Sequence, residues 1–277
     1  MSVKKAIGGS ICAIILLVVS QLVAQLVGSL FIIIKVSEGI CNIIAGIIYV
    51  GLALILSKIL SEKLLKVKVE SLGMPRFSLK TRWVLVAVLL PIAVKSVYLV
   101  LFSGEYVFSG MNNTQIFSTL SAGVVFTGIA AGFVEEIVFR GIILNLLKER
   151  WNVKVAVLLP SILFGILHIV GMDFSVISCL LVIVAGTAVG IMFSLIAIES
   201  GSVWNSGIVH SLWNIIIIGG GLSIGETMDK DSVMTYVLDS KSFIITGGEF
   251  GIESSIIALL GYIVVIFIAG HMINKNN

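Results

Sequence analysis

Glu135 and Glu136, followed by Arg140, stand inside an otherwise apolar part of the chain, and His168, His210 and Asn214 stand inside two more. Carboxylates and imidazoles move protons, and imidazole and carboxamide N–H groups can hold a developing negative charge. On a helix turning about 100° per residue, Glu136 and Arg140 share a face one turn apart, whereas Glu135 points about 100° away. That division lets Glu136 and Arg140 pair internally, lowering the cost of burial, and leaves Glu135 to face a cavity. Phe164 and His168 are likewise one turn apart, as are His210 and Asn214. The chain has 3 His, and His271, beside the tail, is expected at the interface. A charge at the centre of a bilayer costs at least a few kcal/mol, so ionisable groups within spans are site candidates. The plainer alternatives are glutamates capping a span and a His168 that only hydrogen-bonds a neighbouring helix.

Position argues against the plainer alternatives. Glu135 and His168 are equidistant from the Trp151–Asn152 turn, each about 16 residues or ~24 Å of helix from it. In an antiparallel hairpin they lie at equal depth and can meet. Counted from the Glu199–Ser202 turn, His210 is also deep, about nine residues or ~14 Å in. A carboxylate facing a His in a cavity that admits water can act as general base, and a second His with an Asn suits the oxyanion formed when water attacks an amide. Ser211 points about 100° from His210 and no G-x-S-x-G is present, so no Ser nucleophile is implied. Two His and a Glu also match a catalytic zinc set, Glu135, His168 and His210, but H-E-x-x-H is absent and the ligands would come from three helices.

These residues need a membrane-embedded scaffold. Of 277 residues, 58% are hydrophobic and 12% charged, and mean hydropathy is +1.16. Soluble domains carry about a quarter charged residues, so a soluble enzyme is excluded. The chemistry of the backbone then favours an all-α polytopic transmembrane bundle. Apolar stretches at roughly 8–33, 39–57, 83–102, 119–140, 155–170, 175–197, 203–219 and 254–273 predict about eight spans. The first, after Lys4 and Lys5, is too long for a signal peptide and reads as an uncleaved span. Seven Lys and Arg lie in the 58–82 connection, and Lys148, Arg150 and Lys154 follow the fourth span, whereas 220–253 is acid-rich. The positive-inside rule therefore puts both termini and the basic connections in the cytoplasm. The 58–82 and 220–253 loops are the pieces large enough to project from the bilayer. Lys95 is expected to snorkel to the outer end of its span. Cys12, Cys41 and Cys179 read as small core residues. The expected organisation is 1–118, a three-span region with the basic loop 58–82; 119–218, a core carrying the site; and 219–277, an exterior loop and last span.

Glu-Glu-Ile-Val-Phe-Arg-Gly at 135–141, Phe164 to His168, and Gly201-Ser202 followed by His210 to Asn214 resemble the EExxxR, FxxxH and HxxxN/B motifs of the CPBP intramembrane proteases. That family joins type II CAAX prenyl proteases with bacteriocin-processing and immunity (Abi) proteins, and the resemblance covers about 119–218. It implies that Glu135 and His168 activate water, that His210 and Asn214 stabilise the oxyanion, and that Glu136, Arg140 and Phe164 support them. It further implies an intramembrane endopeptidase with a cytoplasm-facing cavity between the fourth, fifth and seventh spans. The expected substrate is a peptide or protein, with a lipidated C-terminus among the alternatives, and the expected location is the plasma membrane. No cofactor is expected, with zinc as the alternative mechanism, and no nucleic acid partner. A non-catalytic immunity or scaffold protein using the 220–253 loop is the rival, followed by a proton-coupled transporter.

Overall fold

The computed structural model describes residues 1–170, 172 and 175–276 and is mostly helical. Each of the eight apolar stretches becomes a helix: α1 Val3–Ile33, α2 Glu38–Leu65, α3 Thr81–Leu101, α4 Asn113–Arg150, α5 Val153–Leu167, α6 Val176–Ser200, α7 Val203–Ile217 and α8 Ile256–Asn276. Among the described residues, α1, α2, α3, α4, α6 and α8 are the 6 long and apolar enough to cross a membrane. The other two, α5 and α7, have 15 residues each, about 22 Å of helix against a hydrocarbon core of about 30 Å. The eight expected crossings thus resolve into six helices of spanning length and two short ones.

Caps set the hairpins that hold the short helices. The Asn152 side chain accepts from the Val155 N–H to start α5 directly after α4. Gly201, in the left-handed region at φ 70°, ends α6, and Ser202 Oγ accepts from the Trp204 N–H to start α7. The α5/α6 pair is a seam of small residues. A Cβ on Gly165 would stand 2.7 Å from the Ile183 carbonyl, and one on Gly190 would stand 2.8 Å from Ser161 Cβ. Such contacts let helices that gain little from the hydrophobic effect in lipid pack by van der Waals contact.

The connections depart from expectation. The fold is mostly helical, and within the connections β1 Gly104–Phe108, β2 Leu222–Gly225 and β3 Met234–Leu238 add a small sheet in the order β1-β3-β2. β1 pairs antiparallel with β3, and β2 pairs parallel with it. Tyr106 and Tyr236 meet across it with ring centroids 4.8 Å apart, and the Lys95 ammonium donates to the Leu222 carbonyl. The 220–253 connection is thereby tied down across the end of the bundle. At the opposite end, the 58–82 connection also folds back. Gly73 O accepts from the Val203 N–H at 2.9 Å, and Trp204 Nε1 donates to Pro75 O at 2.7 Å. Glu199, buried, receives Arg82, Lys80 and the Trp83 indole, the last at 2.8 Å. Neither loop projects freely.

Candidate active site

The middle of α4 is not a uniform α-helix: Gly132–Glu136 is α-helical, between π-helical stretches at Ala122–Ala131 and Ile137–Ile143. Wide turns of this kind often mark functional positions. Gly132 lets α4 touch α7, since a Cβ there would lie 2.9 Å from the Ser211 backbone. This close approach places Glu135 and Glu136 beside His210.

Glu136 and Arg140 form the expected pair, with Arg140 Nη1 donating to Glu136 Oε1 at 2.8 Å. Both side chains are buried, at 0% and 1% exposure. Arg140 Nη2 also donates to the Gly190 carbonyl at 3.1 Å, which ties α4 to α6. Its guanidinium lies over the rings of Phe164, Phe193 and Phe139, 4.7, 5.3 and 5.6 Å from their centroids. A charge taken out of water needs such compensation. Glu136 Oε1 then accepts a second hydrogen bond, from His210 Nδ1 at 3.1 Å. The His210 ring stacks on Phe193 with centroids 4.6 Å apart.

With Nδ1 committed to Glu136, the other nitrogen of His210 points to Glu135, whose Oε2 is 3.8 Å from Nε2. Glu135 turns away from the ion pair, its side chain 22% exposed, and Oε2 has no hydrogen-bond partner in the protein. His168 follows the last residue of α5, where its Nδ1 donates to the Phe164 carbonyl at 2.7 Å. That bond fixes the ring with Nε2 free of the backbone. The Phe164 ring packs on it at 4.3 Å between centroids. Asn214 Nδ2 donates to the Thr127 carbonyl at 3.0 Å, leaving its second N–H and its oxygen.

Glu135, Phe164, His168, His210 and Asn214 line one cavity of about 280 Å³, together with Thr127, Trp213, Phe250, Glu253 and Tyr262. All the residues singled out in the sequence therefore meet, with Glu136 and Arg140 behind the wall. His271, by contrast, is exposed on α8, away from this cavity. Glu253 was not foreseen. It belongs to the acid-rich 220–253 stretch, where one more carboxylate carries no distinguishing signal, and only the fold of that stretch over the bundle brings it inside. The cavity is enclosed by α4, α5, α6 and α7, with Phe250 and Glu253 of the 220–253 stretch closing one side of it.

Among the described residues no group of three or more His, Cys, Asp and Glu side chains is placed to hold a metal ion.

Residues 117–216 match the family described as Type II CAAX prenyl endopeptidase Rce1-like. The segment is an Rce1-like domain. Its limits enclose α5, α6 and nearly all of α4 and α7, so every motif residue from Glu135 to Asn214 falls within it, and Phe250, Glu253 and Tyr262 fall outside. Neither the curated proteins nor the solved structures compared with the chain gave a match. An Rce1-like segment together with 6 helices of spanning length among the described residues indicates an integral membrane protein.

Proposed function

We propose that the chain is an intramembrane endopeptidase in which Glu135 takes a proton from water, His168 orients that water, and His210 with Asn214 holds the oxyanion. The observation that carries the reading is the convergence of these four side chains, from α4, α5 and α7, on one cavity in the Rce1-like domain. The unpartnered Oε2 of Glu135 is the atom that would receive the proton. His210 already gives one N–H to Glu136, so donation from Nε2 requires the ring to carry both protons, with the two carboxylates of Glu135 and Glu136 beside it to offset the charges of the ring and of Arg140. Asn214 supplies its second N–H to the same oxygen.

No metal takes part in this mechanism. The substrate is a peptide carrying an apolar group near the scissile bond, a prenylated C-terminus being the form the family description suggests. An apolar groove of about 520 Å³, walled by Ile14, Leu17 and Val18 of α1, reaches Glu135 and His168 from the lipid side and suits such a chain. The plasma membrane is the proposed location.

The test is cleavage of a fluorogenic farnesylated CAAX-type peptide by purified protein in liposomes. Wild type should cut it and Glu135→Gln should not. Equal rates for the two would sink the mechanism.

A further inference from the structure

The cavity contains a third carboxyl that the motif chemistry does not use. Glu253 stands in the short turn Ile252–Ser254 that leads into α8, outside the matched domain. Three contacts hold it in place. Its Oε2 accepts from the Trp213 indole N–H at 3.3 Å, its backbone carbonyl accepts from the Tyr262 hydroxyl at 3.0 Å, and the two rings pack with centroids 5.0 Å apart. Trp213 lies next to Asn214 on α7, so Glu253 is built onto the helix that carries the oxyanion donors. It also marks a junction. Ile218, Phe250 and Glu253 line both the inner cavity and an outer one of about 490 Å³ beneath the sheet.

The charges around it can be counted. Arg140 is paired with Glu136, and His210 Nε2 lies 3.8 Å from Glu135 Oε2. No Lys or Arg lines either cavity, so Glu253 has no full cation of its own. Facing it are Glu135 from α4, His168 from α5, His210 from α7 and Tyr262 from α8, with Glu226, Asp229 and Glu249 around the outer cavity.

We propose that Glu253 is a further catalytic group of this site, a neutral carboxyl on the outer side of the cavity that gives its proton to the departing amine. The proposal rests on the endopeptidase reading above. Burial raises the carboxyl above its ordinary range; His168, the Trp213 indole and His210 oppose this, and Glu135 reinforces it. Two carboxyls whose surroundings push them apart can divide base and acid between them. In the reaction, water adds its oxygen to the amide carbon and gives a proton to Glu135. The C–N bond breaks with its electron pair staying on nitrogen, and the Glu253 O–H proton moves to that nitrogen. The proton held by Glu135 then returns to Glu253 through the shared cavity. One amide and one water become one acid and one amine, with no other reactant.

The experiment compares E253Q with wild type on two substrates: the farnesylated CAAX-type peptide, and the p-nitrophenyl ester of its farnesylcysteine portion. The ester's phenolate leaves without a proton. Glutamine keeps the acceptor for Trp213 but has no acidic proton, so kcat on the amide should fall about 100-fold, the usual scale of general-acid catalysis, while kcat on the ester stays within about threefold. Equal loss on both substrates would make Glu253 merely structural, and no loss on the amide would refute the proposal. E135Q serves as the control: it should lose both activities, and if it keeps them, the endopeptidase mechanism has failed rather than this inference. Infrared difference spectra give a measure independent of turnover. A protonated-carboxyl band should be present at neutral pH in wild type and missing in E253Q; an unchanged band overturns the proposal.

Discussion

His210 bridges the two adjacent glutamates: Nδ1 meets Glu136 Oε1 at 3.1 Å, and Nε2 lies 3.8 Å from Glu135 Oε2. One imidazole is thus read by two carboxylates of different status. Glu136 is paired with Arg140 and fully buried, whereas Glu135 has no Arg or Lys partner and its side chain is 22% exposed beside the cavity.

The difference predicts unequal outcomes for the same substitution at neighbouring positions. Glu135→Gln should lower kcat for peptide cleavage by at least about 10³-fold, within the range for loss of a general base, with little change in KM. Its thermal unfolding in detergent should match wild type, because Glu135 satisfies no buried partner by hydrogen bonding.

Glu136→Gln should instead unfold the site. Arg140 would lose its counter-charge inside a shell of three phenylalanine rings, and removing one partner of a buried pair costs about 3–5 kcal/mol. The double variant Glu136→Gln/Arg140→Met should regain most of that stability, because it leaves no uncompensated charge. Unfolding followed in mixed micelles checks both, and a double variant less stable than the single one would contradict the argument.

How far these residues could be read beforehand depends on the range of the interactions involved. Glu136 with Arg140, and Phe164 with His168, are local pairs set by helix periodicity. The meeting of Glu135 with His168's cavity follows from hairpin symmetry about Trp151–Asn152. Non-local pairing was not legible: β1 and β3 are five-residue strands joined across more than a hundred residues. Without that sheet nothing in the sequence says that 220–253 folds over the bundle, and Glu253 stays one acid among several. The π-helical turns of α4 at Ala122–Ala131 and Ile137–Ile143 were equally silent, since a change in turn width leaves no mark in a run that is apolar throughout. Length was readable but misleading for α5 and α7, whose apolar runs continue beyond the helices themselves.

Chelation should leave activity unchanged. Among the described residues no three-ligand set is present, so protein treated with EDTA or phenanthroline and freed of metal should cut the fluorogenic peptide at the untreated rate. Stoichiometric zinc in active protein, with activity lost on its removal and regained on its return, would overturn the metal-free mechanism.

The small-residue seam should tolerate little. A Cβ on Gly186 would sit 2.6 Å from Gly165 Cα, a contact between backbones that no side-chain rotation relieves. Gly186→Val should separate α5 from α6, lowering stability by about 1–3 kcal/mol and moving His168 at the end of α5. The expected signature is a drop in kcat larger than that of an equally destabilising change far from α5, measured at a temperature where both variants are folded.

Stability should depend on pH through Glu253, with a definite sign. Its folded-state carboxyl titrates above the usual value, so between the unfolded value near 4.3 and the folded one the native state holds a proton that the unfolded chain has released. The contribution is therefore fully present below about pH 4.3 and lost as pH rises through the folded value. Glu253→Gln removes this titration and keeps an acceptor for Trp213. The difference in unfolding temperature between wild type and the variant should shift steadily against wild type as pH is raised from about 5 to 8. A difference that is constant over that interval, or one that moves in favour of wild type, would mean that Glu253 is charged in the folded protein.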